Sequence, residues 1–285
     1  MFDILHAIFI GPFSEMASAP DLLVQVLWEG FVSGILYALV ALGFVLIFKA
    51  SGVFNFAQGI MVVFGALSLV GLYAAGVPAW LALILCIGIM FGLAWSVERV
   101  VLRKLVNQEP IILFMATIGL NYFLIGFGEF IFGGEPKTMI TSELGLPSGS
   151  VDFEIFNGFV SLQKLDIAAA IIAGALVGGL AVFFNKTRIG RALRAVADDH
   201  QAAQSVGITL KQIWVIVWFA AGIVALTTGI MWGARSDVSF ALSIVALKAL
   251  PVLILGGFTS VPGAIVGGLI IVISEKLAEF YCCLL

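Results

Sequence analysis

Five polar side chains interrupt otherwise apolar runs in this sequence: Asn55, Gln58, Thr117, Asn121 and Lys248. Carboxamides and a hydroxyl donate and accept hydrogen bonds, and an ammonium pairs with carbonyls or carboxylates. This is the chemistry of holding a solute or a helix rather than of breaking a covalent bond. Asn55 and Gln58 stand at the start of one run, in Asn55-Phe-Ala-Gln-Gly59. An unpaired amide costs free energy in hydrocarbon, so both must face protein or water. They serve the inner mouth of a pathway, or Asn55 caps the helix. Thr117 and Asn121 share a helix face at i, i+4, either as interhelical hydrogen-bonding groups or as solute contacts. Lys248 lies near mid-run, where a cation costs about 3 kcal/mol on insertion scales. It snorkels along a short helix or lies in the bundle interior, pairing with carbonyls or lining a path.

Other chemistries lack their residues. The two histidines, His6 and His200, stand outside the apolar runs, which argues against an intramembrane Ser–His hydrolase or a His-ligated metal. No Gly-rich loop ending in Gly-Lys-Ser/Thr occurs, so the chain is expected not to hydrolyse ATP. Cys86 sits in an apolar run, and Cys282 and Cys283 are adjacent, which is neither a disulfide framework nor a metal-ligand spacing. The ending Cys282-Cys283-Leu284-Leu285 formally fits a prenylation pattern, which a multi-span protein does not need. No cofactor or metal is expected, and Met1 to Pro20, without Lys or Arg, predicts no cleaved signal.

The elements that must position these residues are membrane helices. Of 285 residues, 62% are hydrophobic and 11% charged, whereas a soluble domain carries roughly a quarter charged residues. Too little polar surface remains to cover a water-soluble globule, and net charge −3 implies no nucleic-acid partner. Apolar runs of spanning length fall at 22–48, 53–75, 79–97, 111–132, 166–184, 213–233, 241–257 and 262–281. They predict an all-α, polytopic helical membrane protein of about eight transmembrane helices, with the seventh short enough to be broken or re-entrant. Glycine pairs at four-residue spacing (Gly30/Gly34, Gly88/Gly92, Gly174/Gly178, Gly229/Gly233, Gly263/Gly267) would let helix backbones approach.

Basic residues set the expected orientation. The 98–110 loop carries Arg99, Arg103 and Lys104, and the 185–212 loop carries Lys186, Arg188, Arg191, Arg194 and Lys211. Both are expected to be cytoplasmic. The mainly acidic 133–165 loop is expected outside, with turns and a short interfacial helix. Both chain ends then lie outside. Mid-span acidic residues, which ion-driven carriers use, are absent, so a self-sufficient channel or carrier is the second reading and a membrane-embedded enzyme the third.

Within 185–212, residues 192–205 have few helix breakers. They form one helix, or Asp198 and Asp199 cap a second short helix at 200–206 that ends at Gly207. The segment is a basic anchor that sets topology or a helix that docks on a partner. It resembles the coupling segment of ABC import permeases, whose signature is Glu-Ala-Ala, three residues, then Gly. Here Gln201-Ala202-Ala203, three residues and Gly207 stand in that pattern, with Gln in place of Glu. The flanking Arg188-Ile-Gly190-Arg191-Ala-Leu-Arg194-Ala and Asp198-Asp199 are similar to the branched-chain amino acid permease branch, as are Gly34 to Gly59 and Lys248 to Gly268.

The resemblance implies a single permease domain, 1–285, in a bacterial inner membrane, importing branched-chain amino acids, urea or short amides. It implies two separate ATPase subunits that use ATP, a second permease subunit and a periplasmic binding protein. It also implies that Arg188, Gly190, Arg191, Arg194, Asp198, Asp199, Ala202, Ala203 and Gly207 couple the chain to an ATPase, with Ala202 and Ala203 seating the helix in a partner groove. Family members usually continue past the Glu275-Lys276-Leu277 region to a further helix; Leu285 is the last residue of this sequence.

Overall fold

The computed structural model describes Met16 and residues 18–105, 108–155, 158–198 and 200–282. Asp199, and the side chains of Asp198 and Ala202, lie outside the described part. The helices are α1 (Pro20–Ser51), α2 (Gln58–Ala74), α3 (Ala79–Val100), α4 (Pro110–Phe132), α5 (Lys164–Lys186), α6 (Arg188–Asp198), α7 (His200–Ser205), α8 (Leu210–Ser236), α9 (Val245–Gly256) and α10 (Val261–Cys282). Each expected span coincides with a helix, but the count of eight does not carry over. Among the described residues six helices are long and apolar enough to cross a membrane, while Gln58–Ala74 and Phe240–Gly256 are shorter.

Local chemistry explains the helix ends. Pro20 and Pro110 occupy first-turn positions, where no amide hydrogen is needed. Asp21 and Lys49 lie at opposite ends of α1, each favourable to the helix dipole. Gly52 closes α1 in the left-handed region at φ 70°, donating its amide to the Phe48 carbonyl at 2.7 Å.

Helices α1 and α8 form the interior. In α1 83% of the most apolar 18-residue window is buried and in α8 72%, against 22–28% for α3, α4, α5 and α10. Glycine permits the closest approach. A methyl at Gly34 would lie 3.0 Å from the Gly268 carbonyl oxygen, and one at Gly268 2.7 Å from that of Gly34. Gly30 likewise meets Ile273 of α10, Gly229 meets the Val62 carbonyl of α2, and Gly267 meets Val252 of α9. Gly88, Gly92, Gly174 and Gly178 have open space instead, so only some of the expected glycine pairs make contacts within the chain.

One end of the bundle carries the basic segments. The other carries β1 (Ser150–Ile155) and β2 (Gly158–Gln163), an antiparallel hairpin that pairs Ser150 with Gln163 and Phe153 with Val160. The interfacial helix expected in 133–165 is absent from its described residues. Alternation such as Val151-Asp-Phe153-Glu-Ile155 follows the strand period of two. Lys137 and Val238 exchange backbone hydrogen bonds of 2.9 and 2.7 Å at this end. Nearby, Arg235 of α8 pairs with Asp166 of α5 at 3.0 Å and donates to Ser33 of α1 at 3.2 Å.

Candidate functional site

Four of the five polar residues of the apolar runs, Asn55, Gln58, Thr117 and Asn121, gather where helical backbone stops. The run expected at 53–75 becomes helical only at Gln58. Residues 52–57 are non-helical and climb back into the bundle from the basic end. The depth follows from contacts: the Trp214 indole donates to the Ala50 carbonyl at 3.2 Å, whereas Gln58 reaches Ala221 of α8. Seven residues along α8 separate the two levels, about 10 Å of rise.

Non-helical backbone at membrane depth must be satisfied by protein or water, and Asn55 and Thr117 satisfy it. The Asn55 carboxamide oxygen accepts from Ala57 N–H at 3.1 Å, and its nitrogen lies 3.7 Å from the Met61 sulfur. The Thr117 hydroxyl accepts from Phe56 N–H at 3.1 Å and lies 3.3 Å from the Phe54 carbonyl and 2.8 Å from that of Phe114. Gln58 is fully buried; its amide nitrogen reaches the Ala221 carbonyl at 3.5 Å and its side chain lies against Gly43. Any side chain at position 43 would occupy the space of that amide.

A second broken element meets the first. Helix α8 also ends in a residue of positive φ, Asp237 at φ 55° and ψ 160°. The chain then dips inward through a 3₁₀ turn, Phe240–Ile244, into α9, which runs to the basic end, where Phe258 packs on Phe48 with ring centroids 5.1 Å apart. Helix α2 runs the other way. Their starts touch: a methyl at Gly59 would lie 2.6 Å from the Ser243 carbonyl oxygen and 2.8 Å from the Ala246 side chain. Long interior helix, positive-φ residue, non-α stretch and short helix therefore occur twice, in opposite directions.

At the meeting point lies a cleft of about 120 Å³. Phe44, Phe54 and Phe56 form its wall, with Phe44 and Phe54 stacked at 4.6 Å. Gly59, Asn121 and Ser243 contribute the polar edge, and no charged side chain lines it. The half-buried Asn121 carboxamide makes no hydrogen bond among the described residues. First-turn amide groups of a helix have no carbonyl one turn back and carry partial positive charge; the start of α2 offers such groups at this cleft, whereas α9 continues from the 3₁₀ turn and its Val245 N–H already donates to the Leu242 carbonyl. Lys248 is placed elsewhere, half-exposed, with its ammonium 3.8 Å from Glu275 of α10.

Sequence reasoning missed Gly43 and Ser243. The first had no signal beyond being a glycine in an apolar run. For the second, a short apolar run beside Ser and Asp was the available hint.

At the basic end, α6 and α7 form two short helices, the second of the arrangements weighed from the sequence. The Thr187 hydroxyl accepts from Gly190 N–H at 3.2 Å, capping α6. Gly190 lies against the Phe184 carbonyl so closely that a Cβ would overlap it. Arg194 donates to that same carbonyl at 3.0 Å, closing the end of α5. Gly207, at φ 87°, ends α7 with its amide on the Gln204 carbonyl and Ile208 N–H on that of Ala203, both at 3.0 Å, a Schellman arrangement. Leu193, Val196 and Ala203 are buried in the chain's own core. This corrects the expectation that Ala203 seats in a partner groove, because the apolar side of the segment packs inward. Arg188 and Arg191 are exposed, and Val206 stands 75% exposed at the tip.

The family described as the branched-chain amino acid transport system permease component matches residues 26–282. The chain belongs to that family. It is 27% identical over 278 residues to the high-affinity branched-chain amino acid transport system permease protein LivH of Escherichia coli strain K12, covering 90% of this chain and 86% of that protein. It is 28% identical over 265 residues to the permease protein BraD of Pseudomonas aeruginosa, covering 88% and 84%. The fructose import permease protein FruF of Bifidobacterium longum is 26% identical over 250 residues, covering 84% of this chain and 66% of that protein. No solved structure matches the chain significantly. Family and fold agree on a polytopic helical membrane permease.

Proposed function

We propose that this chain is the translocation subunit of an ABC importer for branched-chain or related hydrophobic amino acids. The observation that carries the reading is the cleft at which α2 and α9 begin. Its aromatic wall suits an aliphatic side chain, the start of α2 suits a carboxylate, and the carbonyls of Phe54 and Ser243 suit an ammonium. The basic end faces the cytoplasm and the hairpin end the periplasm, together with the N-terminus. Two ATPase subunits, a second permease and a periplasmic binding protein complete the transporter, and the exposed edge of α6 and α7 meets an ATPase through Arg188, Arg191 and Val206.

Reconstitution with the ATPases and binding protein, followed by uptake of labelled leucine and labelled fructose, tests the reading. Leucine uptake is expected, and Asn121→Leu, which removes a hydrogen-bonding group from the cleft, should lower it on the order of tenfold. Wild-type leucine uptake by that variant would remove the cleft from the path. Fructose uptake without leucine uptake would replace the substrate class.

A further inference from the structure

A groove at the basic end, between α3 and α8, has two tiers of opposite character. Phe91 and Trp95 of α3, and Val215 and Ile216 of α8, form the apolar tier. Arg99, Arg103 and Lys211 form the cationic tier. Phe91, Trp95 and Arg99 recur every four residues along one face of α3, so the rings lie about 12 and 6 Å from Arg99 along the axis. On α8 the order matches, with Lys211 at the helix start and Val215 and Ile216 one turn further into the membrane.

Phe91 is 48% and Trp95 46% exposed, and the Arg99 guanidinium stands 5.0 Å over the Trp95 ring. The groove encloses about 470 Å³. A neighbouring cavity of about 360 Å³ shares Glu98, Arg103 and Lys211. Glu98 is the acidic residue of both cavities. It is 5% exposed, and one of its oxygens makes no hydrogen bond among the described residues. Three cations thus face one carboxylate where apolar helix surface gives way to the basic segments.

We infer that this groove binds an anionic phospholipid, its phosphodiester on Arg99, Arg103 and Lys211 and an acyl chain along Phe91, Trp95, Val215 and Ile216. Basic recesses between membrane helices take acidic lipid headgroups, and Trp favours the boundary between hydrocarbon and water. The second tier selects the occupant. A soluble acidic peptide or free phosphate satisfies the cations but leaves the apolar tier uncovered, whereas a lipid covers both.

The test is native mass spectrometry of the delipidated protein titrated with phosphatidylglycerol or phosphatidylcholine. Wild type is expected to prefer phosphatidylglycerol. Arg103→Gln and Lys211→Gln should each weaken that lipid about fivefold without changing phosphatidylcholine binding. Lys211→Arg should restore it, and Glu98→Gln, which removes the opposing charge at constant shape, should tighten it. Inorganic phosphate should not displace the lipid. Equal binding of the two lipids, undiminished preference in both Gln variants, or displacement by phosphate or by polyglutamate would overturn the inference.

Discussion

Helices α1 and α5 are equally apolar, both with a mean hydropathy of 2.5 over their best window, yet 83% of that window is buried in α1 and 22% in α5. Hydropathy therefore locates the membrane without telling the interior of the bundle from its rim, since lipid tails are as apolar as leucine. The distinction lies in what the small and polar residues meet. Gly30, Gly34 and Gly43 of α1 are each filled by a neighbouring helix, whereas Gly174, Gly178 and Gly179 of α5 meet nothing within 4 Å.

The strongest test of this contrast places one bulky residue in each setting. In Gly229→Leu the added carbons collide with the Val62 carbonyl, and backbone cannot move aside as a side chain can. A loss of about 3 kcal/mol or more is expected, seen as failure to recover monodisperse protein after detergent extraction. Gly178→Leu on the rim should stay within about 0.5 kcal/mol of wild type. Equal recovery of both variants would erase the distinction.

Ion pairs give a smaller difference. Asp166→Ala strands Arg235, whose side chain is 19% exposed, with only the Ser33 hydroxyl. It should cost about 3 kcal/mol, read as a lowered midpoint of thermal unfolding in detergent. Glu275→Ala removes the partner of a Lys248 side chain that is 57% exposed and should cost less than about 1 kcal/mol.

Hydroxyls give the smallest. Thr117→Val keeps the shape of the side chain but leaves Phe56 N–H without its acceptor, for about 1–2 kcal/mol. The signature is faster amide hydrogen exchange over residues 52–58. Ser274→Ala, on the exposed side of α10, removes only a bond to the Ile270 carbonyl and should leave exchange unchanged.

Much of the fold was legible because long apolar runs have one stable form in lipid. The helix bounds follow the charges and prolines closely, as at Pro110 and Lys186. What escaped were the breaks. Val53 to Ala57 is as apolar as the helix it precedes, and only Ser51-Gly52 and Asn55 signal that helical hydrogen bonds are interrupted there. The site was legible by residue type: Asn55, Gln58 and Thr117 do converge on the unwound stretch, and Asn121 lines the cleft. Lys248 shows the limit of that reasoning. Its position mid-run is compatible with a snorkelling cation or an interior one, and only the packing of α10, which brings Glu275 to the half-exposed ammonium, decides between them. The hairpin and the inward face of Ala203 depend on contacts between segments distant in sequence, which residue types alone do not encode.

The unwound stretch before α2 also sets a schedule for biosynthesis. Thr117, which accepts from Phe56 N–H, lies 61 residues downstream, and Ala221, which receives the Gln58 amide, lies 163 residues downstream. At roughly 5–20 residues per second, a ribosome needs about 3–12 s to supply the first partner and about 8–33 s to supply the second. Until then residues 52–58 lack the protein partners that satisfy them at membrane depth in the folded chain. The centre of the permease can thus close only once α4 and α8 have been made.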